Sequence, residues 1–250
     1  MRARVSLPLR LAVAGLLSAL SSASHAANAT PHNLILFVPD GLRALKVTPE
    51  TAPAMAALRD AGVNFKNPHS LFPTTGHYLG DTGVYSNTIY SGYPVGAAHG
   101  SMTPFLENDP VLGDVDDHFG GNYLNEETIL AAARRSGFST AAVGKLGPTL
   151  MFDHTERSGA KTIVIDDQTG ASKDGKDLGI PLSDEIKKAL EAANLPVKAP
   201  TRGENGKAGN SDKPGTTVAN VDQQQYFTDV VTKAVLPMFK ARNKPFVLVL

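Results

Sequence analysis

The chain has 250 residues, with 24 basic side chains balanced by 24 acidic ones, 42% hydrophobic residues and no cysteine. A formal charge of zero gives no electrostatic footprint for gripping a nucleic-acid duplex. The missing cysteines exclude disulfides, a lipidated-cysteine anchor and thiolate metal sites, so any metal must be held by Asp, Glu, His or a hydroxyl oxygen.

Arg2, Arg4 and Arg10 lead into an apolar run, Leu11 to Leu20, and small residues then end at Ser24-His25-Ala26. This is the pattern of a secretory signal peptide over residues 1–26, with export to the periplasm or the medium as the expected fate. The apolar run is too short for a membrane span, and no later run is long enough for one. Its removal takes three arginines, leaving 21 basic against 24 acidic side chains, a net charge of −3. About 224 residues, 27–250, remain for one domain with a continuous core.

The first element after the leader is Asn33-Leu-Ile-Leu-Phe-Val-Pro-Asp40-Gly41. Five apolar residues, Leu34 to Val38, predict a strand buried on both faces, and Pro39 and Gly41 stop it. Asp40 then stands at the strand's carboxyl end, where open α/β sheets hold their ligands; it serves there as a turn cap or as a metal ligand. Thr51 to Ala61 reads as a helix, with Pro53 near its start and Gly62 past its end, and Val63 to Phe65 as a short returning strand. Phe72-Pro73-Thr74-Thr75-Gly76-His77 follows, then a Gly/Tyr/Asn-rich stretch from Tyr78 to Tyr123 with little periodicity, of the kind that carries function or moves.

Regularity returns with Asn125 as an N-cap, Glu126 and Glu127 in a first turn, and Ile129, Leu130 and Ala133 on one face up to Gly137. Phe138 to Val143 and Lys161 to Ile165 read as strands, and Ser183 caps a helix from Asp184 to Ala193. Leu195 to Thr217 is an exposed loop centred on Gly203 to Asn210, which lacks the Gly-Lys-Ser/Thr ending of a P-loop. A long helix from Val218 to Arg242, kinked near Pro237, delivers the chain to an apolar strand, Phe246 to Leu250. That run reads as a central strand, and central strands are normally followed by a loop or helix, so a fragment is expected. The expected fold class is α/β, a mostly parallel sheet with helices on both faces, incomplete at its C-terminus.

Several polar groups have a bland reading beside a chemical one. Asp114-Val-Asp116-Asp117-His118 is a solvated acidic loop or a metal loop; it lacks EF-hand spacing, which favours the first. Ala98-His99-Gly100 reads as loop. Asp153-His154-Thr155 with Arg157 forms a surface ion cluster or lines a cleft. Lys145, after Val143-Gly144, is an exposed strand-end lysine or an anion contact.

Four motifs occur in a set order: Phe37-Val38-Pro39-Asp40-Gly41, Phe72-Pro73-Thr74, Thr75-Gly76-His77-Tyr78-Leu79-Gly80-Asp81-Thr82-Gly83, and Ala142-Val143-Gly144-Lys145. Together they resemble the alkaline phosphatase superfamily on its type I phosphodiesterase/nucleotide pyrophosphatase branch, over the mature chain from about His32 to Leu250. The resemblance implies a phosphoester hydrolase with a threonine nucleophile and two zinc ions, acting on a small phosphoester. Asp40 would bind one zinc, which would also hold the threonine alkoxide; Thr75 is the first candidate nucleophile and Thr74 the second. Lys145 matches a Gly-Lys segment that sulfatase relatives place near the substrate's anion.

Two departures qualify what the resemblance implies. The family's nucleophile begins a helix and is soon followed by an asparagine, whereas here Pro73-Thr74 runs straight into Thr75-Gly76, as though roughly ten residues were deleted. The Asp, His and Asp-His-Gly ligands that the family places after the strand matching Phe246 to Leu250 are also missing. Two tightly held zincs are therefore not expected of this chain as it stands. A catalytically inactive exported fragment or binding protein is the competing reading. A sulfatase-like hydrolase is a third, disfavoured because no Cys/Ser-x-Pro-x-Arg segment occurs.

Overall fold

A computed structural model describes residues 32–65, 74–84, 86–200 and 220–250. The signal-peptide segment, Phe72 and Pro73, and the Gly203 to Asn210 loop lie outside these residues. The described elements run in the order β1 (Leu34–Leu36), a 3-10 turn (Ala44–Lys46), α1 (Pro53–Ala61), α2 (Leu79–Thr82), α3 (Asp109–His118), α4 (Ile129–Arg135), β2 (Ser139–Val143), α5 (Pro148–Met151) and β3 (Thr162–Ile165). A small antiparallel hairpin, β4 (Ser172–Lys173) and β5 (Lys176–Asp177), comes next, then α6 (Asp184–Ala192) and α7 (Val221–Asp229). A π-helical stretch (Val230–Val235) carries α7 into α8 (Leu236–Ala241), and β6 (Phe246–Val249) closes the described chain.

β1, β6, β2 and β3 form one sheet in that order, every pair parallel. β6 is central, with Val247 opposite both Leu34 of β1 and Thr140 of β2. Strand side chains alternate between faces, so each strand feeds two cores. Ala141, Val143, Ile163, Ile165, Phe246 and Leu248 pack under α6 and the α7–α8 helix, against Ile186, Leu190, Val230, Val235 and Phe239. On the other face Ala142, Val247 and Val249 meet Leu130 of α4 and Phe152, while Val164 meets Val111, Leu112 and Val115 of α3. The mostly parallel α/β sheet with helices on both faces is thus present.

Local differences from the sequence reading have physical causes. Among the described residues β1 is an edge strand, paired only with β6, and Leu34, Ile35, Phe37 and Val38 are 43%, 53%, 54% and 42% exposed. An apolar run specifies a strand, but burial on both faces also needs neighbours to cover it. Val63 to Phe65 finds no sheet partner and stays exposed. The irregular Tyr78 to Tyr123 stretch contains α3, so Asp114 to His118 is helix and not loop. Asn108 caps it, its side chain accepting from Val111 N at 3.2 Å. The cap of α4 is Thr128, which accepts from Ala131 N at 3.3 Å; Asn125 instead takes a left-handed turn at φ +53°. The expected irregularity near Pro237 takes the form of the π-helical stretch just before it, which relieves the clash of the proline ring with the preceding turn.

Candidate active site

Because β1, β6, β2 and β3 are parallel, their carboxyl ends share one edge of the sheet, where ligands of open α/β sheets bind. β1 leads to Asp40, which lies exposed in a turn with Gly41 at φ +72°. β2 leads to Gly144 and Lys145, and β3 to Asp166 and Asp167. Beyond β6, Leu250 N donates to Leu36 O at 2.9 Å and Val38 N to Leu250 O at 2.7 Å, so the β1–β6 pairing continues to the rim.

Beside this rim lies a mainly apolar cavity of about 310 Å³. Val38, Thr74, Leu106, Glu107, Gly147 and Phe152 are among the residues that line it. Thr74 is 3% exposed, and its Oγ1 has no hydrogen-bond partner among the described residues. Its backbone carbonyl accepts from Ile129 N at 2.7 Å, which ties it to the first residue of α4. A buried hydroxyl without a partner costs on the order of 1–3 kcal/mol, a penalty that a bound ligand's polar group would offset. Thr75 is half-buried and its hydroxyl accepts from His77 N at 3.2 Å, an ordinary turn-forming bond. Neither threonine begins a helix; the next one, α2, starts at Leu79.

Lys145 pairs with Glu107, which lines this cavity. Its Nζ donates to Glu107 Oε1 at 2.6 Å, and the same oxygen accepts from Asn87 Nδ2 at 2.8 Å. The Lys145 side chain is 42% exposed, so its charge also faces water. The structure therefore places Thr74, Val38 and Glu107 on the cavity wall, with Lys145 bonded to Glu107, while Asp40, Thr75 and Lys145 itself are not among the lining residues. Glu107 and Asn87 went unread in the sequence because they sit in the stretch without periodicity; the signal available was the Asn108-Asp109-Pro110 helix start next to Glu107.

Asp153 and His154 are buried rather than part of a surface cluster, and Arg157 lies on the wall of a separate open cavity. They belong to two buried networks. Asp153 is fully buried, takes a two-pronged contact from Arg134 at 2.9 and 3.1 Å, and accepts from Thr162 Oγ1 at 2.5 Å. His154 Nδ1 lies 2.9 Å from Asp116 Oδ1, and Arg157 donates to Asp116 Oδ2 at 2.6 Å while also pairing with Asp117. Burial pushes the Asp116 carboxyl up, but its bonds from His154, Tyr123 N and Arg157 outweigh this and hold it below the usual range. The acidic run of α3 thus docks the loop that follows α5.

Two further carboxyls meet in the interior. Asp109, the first residue of α3, and Asp166, just after β3, are 3% and 0% exposed. Burial and the neighbouring Asp166 push the Asp109 carboxyl up to about 9, and burial likewise raises Asp166. Among the described residues, no three His, Asp or Glu side chains come together to hold a metal ion. With Asp40 exposed and the Thr75 hydroxyl engaged in its turn, the described residues do not fit a two-zinc centre.

No helix among the described residues is long and apolar enough to cross a membrane. No curated protein and no solved structure matches the chain. The family model for type I phosphodiesterase/nucleotide pyrophosphatase matches residues 34–230, from β1 into the π-helical stretch and so across most of the sheet and its helices. The chain therefore belongs to the type I phosphodiesterase/nucleotide pyrophosphatase family.

Proposed function

We propose that this chain is an exported protein that binds a small phosphoester in the cavity beside Thr74, with a threonine hydroxyl as the nucleophile of the family's hydrolytic reaction. The observation that carries this reading is Thr74 itself, a buried hydroxyl with no partner among the described residues, on the wall of an apolar cavity that Glu107 also lines and Lys145 pairs with. Lys145 supplies charge for a phosphate oxygen, and the apolar lining suits a leaving group. Thr74 is favoured over Thr75 because the latter's oxygen already closes a turn. Export rests on the leader pattern of residues 1–26.

In the reaction, the threonine Oγ forms a bond to phosphorus as the ester oxygen leaves, and water then cleaves the phosphothreonine. The hydroxyl proton must go elsewhere as attack proceeds. Glu107 is a carboxylate in the same cavity, but it already holds Lys145 and Asn87, so proton removal is the weak step. The two zinc ions implied by the resemblance belong to a chain with a full ligand set; no step of this proposal runs through zinc.

Hydrolysis of bis(4-nitrophenyl) phosphate tests the assignment. Slow turnover, lost in Thr74→Val and kept in Thr75→Val, is expected. The opposite pattern would move the nucleophile to Thr75. Saturable phosphoester binding with no turnover would favour the second reading, a binding protein, which the missing three-ligand metal cluster among the described residues supports.

A further inference from the structure

The interior meeting of α3 and β3 puts two buried carboxyl groups side by side. Among the described residues, no donor meets the geometry of a hydrogen bond to either oxygen of Asp109 or to Oδ2 of Asp166. Asp166 Oδ1 is fixed in place, accepting from Gln168 N at 2.9 Å and from Thr169 Oγ1 at 3.4 Å. Asp109 also lines a cavity of about 320 Å³ whose wall carries Asp114, Asp117 and Asp177, with Arg157 turned to Asp116 and Asp117. Asp109 is thus an almost wholly buried carboxyl group on the wall of an acidic cavity, next to a second buried carboxyl group. Two such groups side by side share a proton or take a cation in its place, because isolated buried charges cost several kcal/mol each.

We propose that the Asp109–Asp166 pair binds one hydrated divalent cation of the Mg2+ or Mn2+ class, entering from the Asp114–Asp117–Asp177 cavity. Three free carboxylate oxygens from two residues, with no thiolate or imidazole among them, suit a hard cation that keeps several of its waters. The cation ties the first turn of α3 to the carboxyl end of β3. Glu107 lies two residues before Asp109, and Leu146 N donates to Asp167 Oδ1 at 3.0 Å, so the clamp steadies both partners of the Glu107–Lys145 pair.

The test is Mn2+ binding to the chelator-treated full chain, followed by electron paramagnetic resonance, with melting temperature measured against MgCl2. One Mn2+ per chain is expected, bound at least about tenfold more weakly in Asp109→Asn and in Asp166→Asn and unchanged in Asp40→Asn, a change of about 1.4 kcal/mol or more. The side-chain amide that Asp109→Asn introduces can donate to Asp166, so this variant should fold without cation and should lose the Mg2+-dependent rise in melting temperature; Asp166→Asn gives the same reading from the other side. Absence of saturable Mn2+ binding, binding unaffected by either substitution, or binding lost only in Asp40→Asn would overturn the proposal. Because phosphoester binding does not enter this test, its result is separate from that of the hydrolysis assay.

Discussion

Lys145 is held by Glu107 at 2.6 Å, and this pairing sets how much of its charge a substrate can use. A pair with one partner 42% exposed contributes at most about 1 kcal/mol, so releasing the lysine should strengthen anion binding by about threefold to fivefold. Glu107→Gln is therefore expected to raise affinity for a nucleoside monophosphate, and Lys145→Ala to lower it, as read by calorimetric titration. Asp116 carries a pH dependence. Its carboxyl is held below the ordinary 3.8, so the stabilisation is present above that unfolded value and is lost as pH falls through the lower folded one. Melting temperature should drop as pH falls below about 4, and Asp116→Asn should flatten this drop while costing about 2–3 kcal/mol at neutral pH. A steep acid transition that survives in Asp116→Asn would assign it to other carboxyls.

Packing between the α7–α8 helix and the sheet centres on Phe239, which is fully buried with its ring 5.6 Å from that of Phe246. Phe239→Ala should cost about 3–5 kcal/mol in urea unfolding, because both the transferred ring and the cavity left behind count against the fold. A loss below about 1 kcal/mol would mean the helix repacks. These elements were legible in the sequence: β2, β3 and β6 are short apolar runs, α6 starts after Ser183, and the last helix has helical periodicity up to Pro237. α3 was not, because four aspartates, a glycine and a histidine surround its apolar positions Val111, Leu112 and Val115, diluting the stripe. Val63 to Phe65 failed the other way. Local propensity names a strand, but pairing is decided by residues distant in sequence.

At the scale of the molecule, among the described residues β1 leaves one edge of the sheet unpaired with apolar side chains on show, from Leu34 to Val38. No charged residue interrupts that run, so concentration-dependent self-association is expected in sedimentation velocity. Ile35→Lys should reduce it without lowering the melting temperature, since Ile35 is 53% exposed. The site was half legible for the same reason as the fold. Asp40, Thr74, Thr75 and Lys145 stand in motifs whose order along the chain carries the family signal, whereas Glu107, Asp109 and Asp166 acquire meaning only when α3 is laid against the ends of β2 and β3. The most direct test of the central claim is calorimetric titration of a nucleoside monophosphate into the full chain in the presence of chelator. Saturable binding, weakened in Lys145→Ala and strengthened in Glu107→Gln, is the expected result. No binding, or binding indifferent to both substitutions, would contradict the placing of a phosphoester beside Thr74.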